Sequence, residues 1–242
     1  MIARNEAANI PDAIKSLDFA DQIVVADTGS SDNTLEIARN LGAEAHGITF
    51  EGFGKAKNKA LDFCAGEWAF VIDADERVTP ELAQSILNAV NNNSGPAGFR
   101  ANRLTYFLGK PVRHSGWYPD YVLRLFKRDK GRFDSSLVHE SAQVDGVVGI
   151  LDGLLVHYSY RNLEQYLDKL NEYSSLSARE MFEKGRKFHF LDLVIRPPSI
   201  FLKMYIFKAG FLDGFHGIIL AVLSSYHVFI KYIKLYQMRR NR

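Results

Sequence analysis

Cysteine is almost missing from these 242 residues, with Cys64 standing alone. A single thiol excludes a disulfide framework and both cysteine-based zinc patterns, and it fits a reducing compartment. Cys64 continues a helical apolar pattern with Ala60 and Leu61, which predicts a packed thiol rather than a nucleophile. No basic stretch followed by an apolar run opens the sequence, so no signal peptide is expected. Nor is there an unbroken apolar run of the ~20 residues that a spanning helix needs; Asp213, His216 and His227 interrupt the longest candidate. Acids are scarce at one end. From Lys184 onward 11 Lys and Arg face two acids, Asp192 and Asp213, while the rest carries 19 basic and 26 acidic residues. A basic, apolar C-terminal quarter behind an acidic body suits an anionic partner. Its interleaving with aliphatic and aromatic runs favours a membrane surface over nucleic acid.

What the chain does have is Trp68-Ala69-Phe70-Val71-Ile72-Asp73-Ala74-Asp75-Glu76. The apolar, strand-like run ends abruptly in three carboxylates, which are expensive to desolvate together in a core. A strand ending at a rim, where carboxylates meet a cation, explains the pattern. On an extended chain the i, i+2 spacing puts Asp73 and Asp75 on one side. Oxygen ligands of this kind suit Mg²⁺ or Mn²⁺ shared with substrate phosphates. A solvated strand end followed by a helix cap is the other reading of an isolated D-x-D.

Residues 1–92 alternate helix and strand. Helices are expected at Pro11–Leu17, Thr34–Asn40 and Lys55–Ala65, and from Thr79-Pro80 to Val90; strands at Gln22–Ala26, Ala43–His46 and Trp68–Ile72. Such alternation predicts a parallel, helix-covered sheet, with ligands outside the strands' carboxyl ends. Asp27 and Asp73 should therefore share a rim. Met1-Ile2-Ala3 reads as the end of a strand whose start is missing, so the natural chain is expected to begin upstream. The breaker cluster 91–96 marks an internal boundary. Short strands are expected beyond it at Gly98–Phe107, Tyr121–Lys127, Val138–Val144 and Leu151–Tyr158. The loop His114–Asp120 offers Trp117 and Asp120 as sugar contacts, although Trp117 and Tyr118 serve equally well as packing residues. A mixed-charge helix, Asn162–Lys184, then precedes apolar helices at Ser199–Phe207 and Phe211–Tyr232, expected to lie in a membrane interface or dip into it as a hairpin; a soluble helical subdomain packing on the core is the other reading.

Together, Arg4-Asn5-Glu6, the run Val24–Thr34 with Asp27-Thr28-Gly29-Ser30-Ser31-Asp32-Asn33, Lys57-Asn58 and Asp73-Ala74-Asp75-Glu76 resemble the family 2 glycosyltransferases of the GT-A fold. Trp117-Tyr118-Pro119-Asp120, Arg124-Leu125-Phe126, Leu137-Val138-His139-Glu140, His157-Tyr158-Ser159-Tyr160 and Gly210–Gly214 resemble a narrower branch. That branch includes enzymes adding glucose or a similar sugar to the lipopolysaccharide inner core. The resemblance implies an α/β fold of GT-A type. Its mostly parallel helix-covered sheet would span 1–92, a smaller mixed β part 97–160, and a helical, membrane-associated appendage 161–242.

It also implies roles. Asp27 and Glu6 would contact the base or ribose of a nucleotide sugar, Lys57 would approach the diphosphate, and Asp73 would face the ribose and metal. Asp75 would ligate Mg²⁺ or Mn²⁺, with His157 completing the metal site, and Glu140 would be the base on the acceptor side. The second acid that many relatives carry after Asp27 is Thr28 here. The implied activity is inverting transfer of a hexose, of UDP-glucose type, to a lipid-linked saccharide at the cytoplasmic face of a bacterial inner membrane, with no nucleic acid involved. The alternative is a catalytically silent nucleotide-sugar-binding or scaffold protein of the same fold. A sugar nucleotidyltransferase is disfavoured because no glycine- and arginine-rich triphosphate loop opens the chain.

Overall fold

Buried branched residues form the central strand of the first sheet. The computed structural model describes residues 1–92, 95–134, 141–160 and 162–240. In it, β1 (Ile2–Ala3), β2 (Val24–Asp27) and β3 (Glu44–Gly47) pair in parallel, in that order. Every residue of β2 is buried, as expected of a parallel strand covered on both faces. The helices between them, α1 (Ile10–Lys15) and α2 (Thr34–Asn40), and α3 (Phe53–Asp62) after β3 bury their apolar sides. Cys64, just past α3, donates to the Ala60 carbonyl at 3.4 Å. Burial pushes its thiol pKa up, as suits a packed side chain.

The parallel part is smaller than the alternation suggests. The opening run forms β4 (Trp68–Phe70), but it pairs antiparallel with β8 (Asp120–Lys127). Three residues past β4, Asp73 forms a parallel bridge with Ile2 of the first sheet. The larger sheet runs in the order β4, β8, β6 (Gly98–Phe107), β11 (Val148–Tyr160), β5 (Glu76–Val78), with β7 (Lys110–Pro111) on β6. A two-stranded ribbon joins β9 (Gly131–Phe133) to β10 (Ala142–Val144). Helix α4 (Pro80–Val90) starts as its sequence dictates, with Pro80 in the first turn and the Thr79 hydroxyl accepting from Leu82 N–H.

Two compact units result, Met1–Arg103 with Asp120–His157, and Leu104–Pro119 with Tyr158–Arg242. This differs from the expected division at 160/161. The reason is packing: Phe107 and Val112 share a cluster with Tyr166, Leu170 and Leu220, so the segment bearing Trp117 belongs to the helical unit. The core of the first unit gathers Ile10, Val25, Ile72, Leu82, Leu125 and Leu155.

The second unit holds α5 (Leu163–Glu183), α6 (Phe190–Leu202) and α7 (Gly214–Arg240). Helix α6 runs through Pro197 and Pro198, where a helix start was expected, and continues as a π turn, Lys203–Phe207. A 3-10 turn, Gly210–Asp213, leads into α7. The segment Gly210–Arg240 is, by length and composition, long and apolar enough to cross a membrane, which its interrupted sequence pattern did not suggest.

Candidate functional site

Two loops build the rim at the end of β1 and β2. Asn5 adopts a left-handed conformation (φ 56°), which asparagine tolerates better than most residues. Its N–H donates to Ser30 Oγ, and its side-chain oxygen accepts from Ser31 N–H, both at 2.8 Å. Glu6 N–H donates to Thr34 Oγ1 at 2.8 Å, and the Glu6 carboxylate accepts from the Asn9 side chain. Asp27 is buried, and its carboxylate accepts from Gly29 N–H (3.2 Å), Ser30 N–H (3.0 Å) and the Ser30 hydroxyl. The turn needs Gly29 at φ 99°. Asp27 thus shapes the loop immediately after it. Register places Ala3 opposite Asp27, and Ile2 bridges Asp73, so the two aspartates flank the end of β1.

The acidic stretch itself departs from the extended chain expected of it. Glu76 N–H donates to the Asp73 carbonyl at 3.0 Å and closes a turn over Ala74 and Asp75. Asp73 and Asp75 therefore meet different partners. Asp73 accepts from Lys57 Nζ at 3.2 Å and from Arg124 Nη2 at 2.9 Å. Burial alone would raise its pKa; Arg124, then Lys57, outweigh that and hold the carboxyl well below the usual range. Asp75 faces His157, with Nε2 3.3 Å from Oδ2.

Glu76 is the larger surprise, because the neighbouring acids explained the chemistry without it. It is fully buried, and Arg124 Nη2 donates to its Oε1 at 2.5 Å. Its other oxygen accepts from Asp73 N–H at 3.0 Å. Arg103 approaches Oε1 at 3.6 Å and donates to Asp120 through Nε (2.9 Å) and Nη2 (2.7 Å). Lys57, Asp73, Arg124, Glu76, Arg103 and Asp120 thus alternate in sign along one ladder. Burial alone would lower the Arg124 pKa, but Glu76 and Asp73 raise it, so this arginine stays charged. Arg124 and Arg103 escaped the sequence reading as site residues. The signal for Arg124 was present: an arginine amid the apolar β8 residues needs a buried anion.

Trp117 lies in the second unit, with its ring 6.2 Å from both Phe107 and Tyr160; of its two readings, the packing contact is the one visible. Glu140 falls in 135–140, outside the described residues.

Asp75 and His157 have the chemistry of a divalent-ion site. An oxygen and an imidazole nitrogen converge, and the other ring nitrogen, Nδ1, is buried without a hydrogen-bond partner among the described residues. Mg²⁺ and Mn²⁺ accept such donors and take their remaining ligands from water and phosphate. Among the described residues no three His, Cys, Asp or Glu gather as a metal-holding group, so the pair fits an ion shared with a substrate.

Residues 1–137 match the family model for glycosyl transferase family 2. The chain belongs to this family. As a family 2 glycosyltransferase it has the α/β fold described above. It is 32% identical over 249 residues to the lipopolysaccharide core biosynthesis glycosyltransferase LpsC of Rhizobium meliloti, covering 98% of this chain and 90% of that protein. An uncharacterised glycosyltransferase of Rickettsia typhi is 28% identical, over 98% of this chain and 86% of its own. Among solved structures, Staphylococcus aureus TarS 1–349 matches at TM-score 0.44 and 15% identity, over 100% of this chain and 90% of that one. Glucosyl-3-phosphoglycerate synthase of Mycobacterium tuberculosis, solved with Mn²⁺, UDP-glucose and phosphoglyceric acid, matches at TM-score 0.40 and 19% identity, over 53% and 55%.

Proposed function

We propose that this family 2 glycosyltransferase moves a hexose, with inversion, from a nucleotide diphosphate sugar of UDP-glucose type to a lipid-linked saccharide such as the lipopolysaccharide core. The reaction takes place at the cytoplasmic face of a bacterial inner membrane. The observation that carries the reading is the Asp75–His157 pair standing beside the Lys57–Asp73–Arg124 group, in a chain related to a lipopolysaccharide core glycosyltransferase.

Asp27 and Glu6 receive the base and ribose, and Asp73 the ribose edge, while Lys57 offers charge to the diphosphate. Asp75 and His157 hold Mg²⁺ or Mn²⁺. When bound, the ion neutralises charge growing on the departing diphosphate. The acceptor hydroxyl oxygen attacks the anomeric carbon as the bond from that carbon to the diphosphate breaks, the electron pair leaving on the diphosphate. Glu140 takes the hydroxyl proton, as a carboxylate of suitable pKa does. Asp120, backed by Arg103, and Trp117 serve the acceptor sugar. The basic, apolar C-terminal helices favour an anionic membrane surface as the place where a lipid-linked acceptor is met.

The test is a panel of nucleotide sugars with Mn²⁺, scored for binding and for turnover. UDP-glucose should bind and be consumed, and Asp75→Ala should lose hydrolysis and transfer while keeping the wild-type fold. Glu140→Gln should bind donor and fail to transfer. Binding without turnover in the wild type would instead support the silent-binding alternative.

A further inference from the structure

The two apolar helices of the second unit leave a broad face uncovered. On α6, Phe190, Leu191 and Ile195 share one side and are exposed, Phe190 by 71%. In the turn and at the start of α7, Phe207 is 81% exposed and Phe215 74%, with Leu212 exposed between them. On α7 the buried positions Gly217, Leu220, Ala221, Tyr232 and Leu235 lie on one side. Val222 and Phe229, both exposed, fall on the other at 100° per residue. Large apolar side chains left exposed on two helices that pack together mark an interaction surface.

We propose that the face made by α6, the turn Lys203–Asp213 and α7 docks on an anionic lipid bilayer, dipping its apolar side chains in without crossing. This deepens the membrane-acceptor reading above and rests on it. Charge selects the occupant. From Arg186 to Arg240 only Asp192 and Asp213 are acidic, and both are spent inside the protein. Asp192 pairs with Arg196 at 2.5 Å and Arg186 at 3.6 Å. Asp213 accepts from the backbone of Arg113 (3.1 Å) and His114 (3.0 Å), from the Ser115 hydroxyl (3.3 Å), and meets the His114 ring at 3.0 Å. Lys187, Lys203 and Lys208 remain exposed around the apolar side chains. A positive rim around an apolar face fits anionic headgroups over acyl chains.

Helix α5 rules out a crossing. It packs along α7, Leu170 clustering with Leu220 and Ala178 with Tyr232 and Leu235. Lys234 Nζ donates to Asn171, Ser174 and Ser175 of α5 within 2.8 Å. A bilayer around α7 would also enclose the exposed Glu164, Asp168, Glu172 and Glu183 of α5, which hydrocarbon does not tolerate. The turn packs directly on α7: a Cβ on Gly217 would overlap the Gly210 carbonyl oxygen, so the backbones touch. Through Asp213 the same turn holds Arg113–Ser115, the start of the loop bearing Trp117. Docking therefore sets that loop at the bilayer surface, where a lipid-linked sugar emerges.

The full chain should float with phosphatidylglycerol-containing vesicles and bind phosphatidylcholine vesicles at least ~10-fold less, with the difference shrinking in high salt. Phe207→Ser with Phe215→Ser should weaken flotation by ~10-fold or more and leave hydrolysis of soluble donor unchanged. Spin labels on Ile195→Cys, Phe207→Cys and Phe229→Cys, in a Cys64→Ser background, should all report shallow depth, within about 5–10 Å of the headgroups. A label at 229 in the bilayer centre would overturn the proposal. So would a chain that stays at the bottom with anionic vesicles, or one whose apolar face is protected by self-association in solution. Donor hydrolysis without flotation would sink the docking face alone, and flotation without hydrolysis of any donor would sink the enzymatic reading alone.

Discussion

His157 Nε2 lies 3.3 Å from Asp75 Oδ2 because the antiparallel register of β11 on β5 sets His157 opposite Glu76. The turn closed between Asp73 and Glu76 brings the Asp75 side chain beside that pair. If these two groups share an ion, His157→Ala should raise the Mn²⁺ concentration giving half-maximal turnover by roughly 10–100-fold. Calorimetry of UDP without metal should show wild-type affinity. An unchanged Mn²⁺ requirement would remove His157 from the metal site.

Arg124 is the cation nearest Glu76, 2.5 Å from Oε1 of a fully buried side chain. Arg124→Met should cost about 3–5 kcal/mol, because a buried carboxylate loses its closest partner. Urea denaturation would measure it, and adding Glu76→Gln to Arg124→Met should restore part of the loss. A single-variant cost within ~0.5 kcal/mol of zero, the range of ordinary surface changes, would show that Arg103 carries Glu76 unaided.

Stability should respond to acid through Asp73. Its folded pKa lies below the value of about 3.9 of an unfolded aspartate, held there by Arg124 and Lys57 against burial. The unfolded chain then binds the proton first as pH drops, so the contribution is complete above about pH 5 and shrinks as pH falls below about 4. The stability gap between wild type and Asp73→Asn, monitored by urea midpoints, should be flat from pH 5 to 8 and narrow toward pH 3. A gap that widens toward pH 3 would contradict this direction.

Gly217 is needed for contact rather than for a turn. Gly217→Ala would drive a methyl into the Gly210 carbonyl, and overpacking of this kind costs about 1–3 kcal/mol or more. Hydrogen exchange should show faster exchange at Arg113 and His114 N–H, whose acceptor is Asp213. Unchanged exchange there would mean that the turn and the loop are not coupled.

Local chemistry made much of the donor half legible. Thr79-Pro80 starts a helix wherever it leads an apolar period, Val24–Ala26 wants two covered faces, and carboxylates after such strands belong at a rim. The order of those motifs also carried the family. The sequence could not say that Trp68–Phe70 pairs antiparallel with β8, or that residues 104–119 join the helices, because pairing and docking depend on residues distant along the chain. The i, i+2 rule failed at Asp73 and Asp75 because the strand stops at Phe70, and the hydrogen bond from Glu76 N–H to the Asp73 carbonyl bends the backbone between them.

Charge partners were the least legible part. Asp73, Asp75 and Glu76 are alike in sequence, yet one is clamped by Lys57 and Arg124, one faces a histidine from β11, and one is buried against two arginines. By itself the sequence determined the residues available, the helices and strands that carry them, and the family. Only the tertiary structure decided which carboxylate is neutralised and which faces the histidine, since desolvation and ion pairing act through space and not along the chain.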